Sequence, residues 1–168
     1  MAPWWRYSGM VAAAAAAVVI VLLVVPGRLP RNSAGGDREV VEDHLRSLMA
    51  SHLVDVPSSD HHTVKPWFQG RLSFSPNVPE LSSEGFVLLG GRLEMVGQAP
   101  GAAIVYKRRN HVINVFVARA EGADAAPRAQ SQDGYNVVGW NKGGLRYWAV
   151  SDLNAGELMK FAELVRSN

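Results

Sequence analysis

The segment Ala102–Ala118, AAIVYKRRNHVINVFVA, decides the fold of this chain. Its two apolar runs, Ala102–Lys107 and Val112–Ala118, are rich in the β-branched residues that favour strands. The polar tip Arg108–Asn110 between them is short enough for a tight turn, so the segment predicts an antiparallel hairpin. Apolar residues occupy both alternating sets of positions in the second run, which indicates a strand that is apolar on its two faces.

Four further runs have the composition of strands and are bounded by Gly, Pro or polar residues. They are Val64–Phe74, Phe86–Val96, Tyr135–Trp140 and Leu145–Val150. The last two flank the sequence NKGG at residues 141–144, which is typical of a two-stranded hairpin. The polar segment Arg119–Gly134 has no hydrophobic period, and we predict a mobile loop there.

Two amphipathic helices are predicted at the ends of this region. The first, Asp37–His52, has Asp37 as its N-cap and an apolar stripe along one side. The second begins after Asn154, with Glu157 completing a capping box. The order predicts an α+β fold, in which one antiparallel sheet of about six strands carries an N-terminal and a C-terminal helix. If both helices cover one face, the second apolar face is left for a partner or a ligand.

The N-terminal region predicts a membrane anchor. Residues 10–25 are an unbroken apolar run, and Ser8–Val25 is long enough to cross the hydrocarbon core of a bilayer as a helix. No small-residue cleavage site follows it, which favours an anchor over a cleaved signal peptide. We therefore divide the chain into a short tail (1–7), a transmembrane helix (8–25), a linker (26–36) and an α+β domain (37–168).

Composition excludes several classes of protein. The chain has no cysteine, so it has no disulfide, thiolate zinc site or iron–sulfur cluster. Its formal net charge is +2, but residues 1–36 hold three arginines and no acid, and the remainder is nearly neutral. A nucleic-acid-binding surface would need surplus cations on the folded part, so we expect no nucleic-acid partner.

Histidines are the most reactive candidates for a binding site. His44 and His52 share the apolar side of the first helix, and with His61 or His62 they could supply three imidazoles to zinc or copper. Their spacing matches no zinc signature, and adjacent histidines on an extended segment point to opposite faces. We therefore expect all four to be structural, with no metal or other cofactor needed for folding.

No catalytic motif is present. The segment Asp55–His62 contains Ser, His and Asp, but this composition is typical of a turn. The chain has no G-x-S-x-G elbow, phosphate loop, H-E-x-x-H or G-x-G-x-x-G motif. We expect a protein that is not an enzyme and assign no catalytic residue.

Four blocks of this sequence carry a resemblance to a known family. They are SLMASHLVDVPSSDHHTVKPWFQGRLSFSPNVPEL, GFVLLGGRLEMV, AAIVYKRRNHVINVFV and GYNVVGWNKGGLRYWAVSDLNAGEL. Together they resemble the extracytoplasmic domain of bacterial transmembrane anti-sigma factors, from about Leu45 to Leu158. The resemblance implies a single-pass protein of the inner membrane, whose main domain lies in the periplasm and senses or relays an envelope signal.

One departure from the family concerns its partner. Family members carry a helical sigma-binding domain before the membrane helix, whereas this sequence has only Met1–Tyr7 there. A sigma factor is therefore expected to bind only through a domain that is absent here. The partners that remain are the lipid bilayer and a regulatory protease or envelope protein. The alternative function is a periplasmic metal- or ligand-binding module on a membrane anchor.

The first testable prediction concerns topology. Arg28, Arg31 and Arg38 follow the apolar run and, by the positive-inside rule, favour a cytoplasmic domain, whereas the resemblance implies a periplasmic one. We expect the periplasmic arrangement. Protease added to intact spheroplasts should then digest residues 37–168 while a cytoplasmic marker stays whole. Complete protection of the domain would show that the arginine count, and not the resemblance, gives the orientation.

Overall fold

Seven antiparallel strands form one sheet, and three α-helices pack against it. The computed structural model describes residues 33–50 and 53–168. Its helices are α1 (Ser33–Met49), α2 (His61–Phe68) and α3 (Ala155–Ser167), with a short 3₁₀ helix at Ser82–Glu84. Its strands are β1 (Val56–Pro57), β2 (Val87–Val96), β3 (Ala99–Arg108), β4 (His111–Arg119), β5 (Ala125–Gln132), β6 (Tyr135–Lys142) and β7 (Leu145–Ser151). The predicted α+β class is confirmed.

The sheet consists of two meanders joined in the middle. Its strand order is β1-β2-β3-β4-β7-β6-β5, so β4 and β7 pair although β5 and β6 separate them in the chain. Both predicted hairpins are present. Arg108 pairs with His111 around a tip in which Arg109 has a φ of 54°, and Gly143 and Gly144 have φ of 61° and 74°. Two successive positive φ values are the requirement of a type I′ turn, which explains the glycine pair.

Helices cover both faces of the sheet, and the two apolar cores beneath them differ greatly in size. The larger core lies under α2 and α3, where Phe68, Leu158 and Phe161 are completely buried. The smaller core lies under α1, where Val40 and Val41 meet the other face of the same strands. The expectation that the N-terminal and C-terminal helices share one face is therefore wrong. The apolar residues on both faces of β4 correspond to these two helical layers.

The predicted strand Val64–Phe74 is wrong, because its first half belongs to α2. Asp60 caps this helix by accepting a hydrogen bond from the backbone N–H of His62 at 2.7 Å. Val64 and Phe68 are its buried residues, and their spacing of four places both on one helical face. The helix ends before Gly70, whose φ of 79° is left-handed.

The predicted mobile loop Arg119–Gly134 is also wrong, since it contains β5. This strand has small and polar residues of low strand propensity, but its backbone pairs with β6 from Ala125 to Gln132. Pairing with an existing sheet edge overrides local propensity here. Together with the two-residue β1, it brings the sheet to seven strands instead of about six.

The first helix begins and ends earlier than predicted. It starts at Ser33 and ends at Met49, so Asp37 lies inside it and is not its N-cap. Residues 33–36, which the sequence placed in the linker, are helical. Within residues 33–50 and 53–168, no helix has the length and apolar character needed to cross a membrane. The predicted tail, the transmembrane helix Ser8–Val25 and the rest of the linker lie outside these residues.

The second prediction tests the close packing of α2 on β2. A Cβ added at Gly91 would lie 2.7 Å from Cζ of Phe68, a side chain that is fully buried. We expect Gly91→Ala to lower the free energy of unfolding by about 1–3 kcal/mol, measured by urea titration of the full chain in detergent micelles.

Gly36→Ala is the matched control. Gly36 lies inside α1, and a Cβ added there would make only an ordinary 3.8 Å contact with Trp148 of β7. Alanine is the better helix former by up to about 1 kcal/mol, so this variant should be unchanged or more stable. Equal destabilisation by the two variants would contradict the packing argument.

Candidate functional site

The α1 interface, which we define as the contact of α1 with the sheet, is the strongest candidate for a functional element. Its buried apolar residues are Val40 and Val41 of α1 and Ala103, Phe116, Val137 and Val150 of the sheet. These six residues compare with 22 in the core beneath α2 and α3. Helix α1 itself contributes two of these buried apolar residues, whereas α3 contributes four to the opposite core. Because hydrophobic stabilisation follows the apolar area removed from water, α1 is held less strongly than α3.

Two hydrogen bonds between side chains fix the position of α1 on the sheet. The indole Nε1–H of Trp148 donates to Oδ1 of Asp37 at 3.0 Å. Nδ2 of Asn114, a residue that is completely buried in β4, donates to the hydroxyl of Ser47 at 2.7 Å. The two bonds lie near opposite ends of the helix. They set its register along the sheet, which a small apolar contact alone would leave loosely specified.

His44 lies at the centre of the α1 interface. It is 1% exposed, its ring meets that of Tyr135 edge to face at 5.2 Å, and its Nδ1 has no hydrogen-bond partner in the described part of the chain. Burial lowers the pKa of His44 to about 4; nearby Asp152 opposes this shift and Arg92 adds to it. The imidazole is therefore neutral at pH 7, and protonating it would place a charge in an apolar contact.

Asp43 is a second buried titratable group on α1. Its Oδ1 accepts a hydrogen bond from Nη1 of Arg46 at 2.7 Å, while its Oδ2 is buried without a partner among the described residues. Burial raises the pKa of Asp43, and the carboxylate of Glu94 raises it further, against the effect of Arg46. Polar groups that lack full hydrogen bonding weaken the docking of α1, because water would satisfy them after release.

The structure separates the histidines that the sequence grouped together. His44 belongs to α1 and is buried on the side that faces the sheet, and His52 lies outside the described residues. His61 and His62 begin α2, where their rings are 4.1 Å apart and form a cluster with Asp60. The argument that adjacent histidines diverge fails because this segment is helical and not extended. His111, the fifth histidine of the chain, pairs with Asp152 at 2.8 Å.

Polar groups around Asp60 serve a structural purpose. The hydroxyl of Ser58 accepts a hydrogen bond from the backbone N–H of Asp60 at 3.0 Å, which holds the turn before α2. Oδ2 of Asp55 accepts from the backbone N–H of Leu93 at 3.0 Å, at the edge of β2. These contacts use the Ser and Asp side chains for turns and strand edges. No nucleophile–base pair is among them, so the described contacts give no support to a hydrolase.

A cleft opens beside α1 and was not expected from the sequence. Its volume is about 540 Å³, and its walls include Asp37 of α1, Arg128 of β5, Gly139 of β6 and Arg146 of β7. Gly139 lets Arg146 lie across the sheet, since an added Cβ there would be 2.8 Å from Nη2 of that arginine. The same arginine lies 5.2 Å from the ring of Trp148. The cleft therefore borders both the helix and the sheet surface that holds it.

The third prediction concerns the pH dependence of stability. Unfolded His44 titrates at its ordinary pKa of 6.5 and folded His44 at about 4, so the unfolded chain binds more protons between these values. Stability is therefore complete above pH 6.5 and falls as the pH drops toward 4, by about 2 kcal/mol between pH 7 and pH 4.5. Asp43 acts in the opposite sense, because its pKa is raised on folding.

His44→Leu isolates this effect, since leucine fills the site without titrating. Urea unfolding of the wild-type chain and the variant, measured from pH 7 to pH 4.5, should show a steeper acid loss in the wild type. Parallel pH profiles for the two chains would show that His44 is not the group responsible.

The chain matches no protein-family model and no curated protein.

Proposed function

We propose that residues 33–168 form the sensory domain of a membrane-anchored regulator of the anti-sigma-factor kind, in which the docking of α1 on the sheet is the switch. The observation that carries this proposal is the α1 interface. It combines a small apolar contact with buried polar groups that are only partly hydrogen bonded. In the sequence, α1 is the first described element after the segment 8–25 that is predicted to cross the membrane. A change in the docking of α1 is therefore the change most easily passed to that segment.

The unequal faces of the sheet support this choice of switch. Release of α3 would expose Leu158, Phe161 and Val165, which belong to the main core. Release of α1 exposes far less apolar surface and frees His44 and Asn114 to bind water. Local opening follows the path of lowest free energy, and elements with few buried apolar contacts open first. The domain can thus change the state of α1 while the sheet and its main core stay folded.

The cleft beside Asp37 supports a role in sensing. A signal can shift an equilibrium between docked and released α1 only if it has different affinities for the two states. A molecule in this cleft would contact α1 and the sheet together, so it would bind the docked state better. Arg128 and Arg146 would favour an anionic group on the sheet side of the cleft, whereas Asp37 would favour a hydrogen-bond donor on the α1 side. This is also the observation that favours the alternative, a ligand-binding module on a membrane anchor.

The fourth prediction tests the switch in the cell. Val41→Asp places a charge in the α1 interface, at a side chain that is 1% exposed, and should release the helix. Introduced at the chromosomal locus, it should change transcription from one coherent set of alternative-sigma promoters, measured by RNA sequencing. The effect would pass through the regulatory protease or envelope partner, since a sigma factor is not expected to bind this chain itself. Glu42→Ala is the matched control, because Glu42 is the next residue and makes only an exposed pair with Arg38. It should leave transcription unchanged.

Release of α1 is measured separately on the purified chain. The protein has no native cysteine, so Val40→Cys introduces a single buried thiol in α1. This thiol should react with a maleimide at least about tenfold faster when Val41→Asp is also present than when Val41 is kept, because modification requires opening of the helix. Faster labelling together with an unchanged transcript profile would contradict the proposed regulatory role. Unchanged labelling would contradict the assignment of α1 as the mobile element.

A further inference from the structure

The start of α2 brings three potential metal ligands together on the face of the sheet opposite α1. Asp60, His61 and His62 each present one ligand atom, and these atoms all lie within 4.8 Å of one another. Nδ1 of His61 is 3.9 Å from Oδ1 of Asp60. Ligands bound to zinc at about 2 Å in a tetrahedral arrangement are about 3.3 Å apart. Small rotations of exposed side chains are therefore enough to bring the three atoms to binding distance.

The backbone around these ligands is held in place. Asp60 caps α2 through the hydrogen bond from His62 N–H to its Oδ1, and its own N–H donates to Ser58. The cap uses one lone pair of Oδ1, and the carboxylate keeps its remaining lone pairs for an ion. Buried Val64 and Phe68 anchor the helix to the main core. Only the side-chain torsions of the three residues need to be ordered when an ion binds, which reduces the entropic cost.

The charge of the cluster fits a divalent cation. Asp60 supplies one carboxylate, and the carboxylate of Glu80 is near enough to interact electrostatically with both His61 and Asp60. The dipole of α2 disfavours a cation at this end of the helix, and the two carboxylates oppose that effect. Imidazole nitrogens with a carboxylate oxygen form a donor set that suits zinc and neighbouring divalent ions rather than calcium or magnesium.

We propose that Asp60, His61 and His62 bind one divalent transition-metal ion of the zinc class at the start of α2, with Glu80 contributing charge. The three protein ligands leave the remaining coordination positions to water. The site goes beyond the proposed switch and does not depend on it, because no residue of the α1 interface takes part. It is local and exposed, so the ion is not required for folding, and the chain folds with or without it.

The test is a zinc titration of the purified full chain in detergent micelles against a chromophoric chelator of known affinity. The wild-type chain should bind one Zn²⁺. His61→Ala and His62→Ala should each weaken binding by at least about tenfold. Asp60→Asn should weaken it similarly, although asparagine is an equally good N-cap and keeps the hydrogen bond to His62. This variant separates loss of a ligand from loss of the helix.

His111→Ala is the matched control. His111 is also accessible and also lies beside a carboxylate, that of Asp152, but it belongs to no cluster of three ligands among the described residues. Its loss should change the zinc affinity by less than about twofold. Circular dichroism confirms that each variant is folded. Binding of less than one ion per chain, or equal weakening by His111→Ala and His61→Ala, would overturn the proposal. Either result would leave the α1 switch unaffected.

Discussion

The pairing of β4 with β7 is the constraint on which the rest of the domain depends. It joins the meander β1–β4 to the meander β5–β7, and its register runs from the pair Asn114 and Val150 to the pair Arg119 and Leu145. Without it neither half has a complete core, because the residues under α3 come from both meanders. The inner strands of the joined sheet are apolar on both faces, and each face must be covered to exclude water. Helical layers on both sides are a direct consequence.

The two layers are not equivalent, and the difference has a physical origin in β4. Its residues Ile113, Val115 and Val117 face the main core, whereas the opposite face of the same strand carries Asn114 and Phe116. A completely buried asparagine needs a partner, and Ser47 of α1 supplies one. The polar group therefore specifies where α1 sits while limiting how strongly it is held. Asn114 thus accounts both for the register of α1 on the sheet and for its weak attachment. Both properties suit a helix that docks in one position and can be released from it.

Local signals in the sequence are enough to predict the hairpins and α3, because each is decided by neighbouring residues. The NKGG turn and the Asn154 cap are examples, although Glu157, expected to complete a capping box, instead accepts hydrogen bonds from Arg108. The predictions from sequence fail where contacts outside the local segment decide its secondary structure. β5 exists because β6 offers it a free edge, although its own residues have low strand propensity. The segment Val64–Phe74 contains strand-forming residues, but the Asp60 cap and the i, i+4 pair Val64 and Phe68 make its first half helical. The proximity of His61 and His62 follows from that helix, so the cluster could not be found while the segment was predicted as extended.

The energetics of α1 limit what any one signal can do. Moving a two-state element from 1% to 99% released requires about 5.5 kcal/mol of differential free energy. Protonation of His44 supplies at most about 3 kcal/mol, since its pKa changes from 6.5 to about 4 on folding. Acid alone therefore shifts the population of α1 without inverting it. A complete response requires either a resting equilibrium already close to balance or a second contribution, such as the loss of a molecule bridging Asp37 and the arginines of the cleft. Because the α1 interface is small and partly polar, the free-energy difference between docked and released α1 is small enough for such contributions to shift the equilibrium. An apolar contact of the size found beneath α3 would make that difference too large.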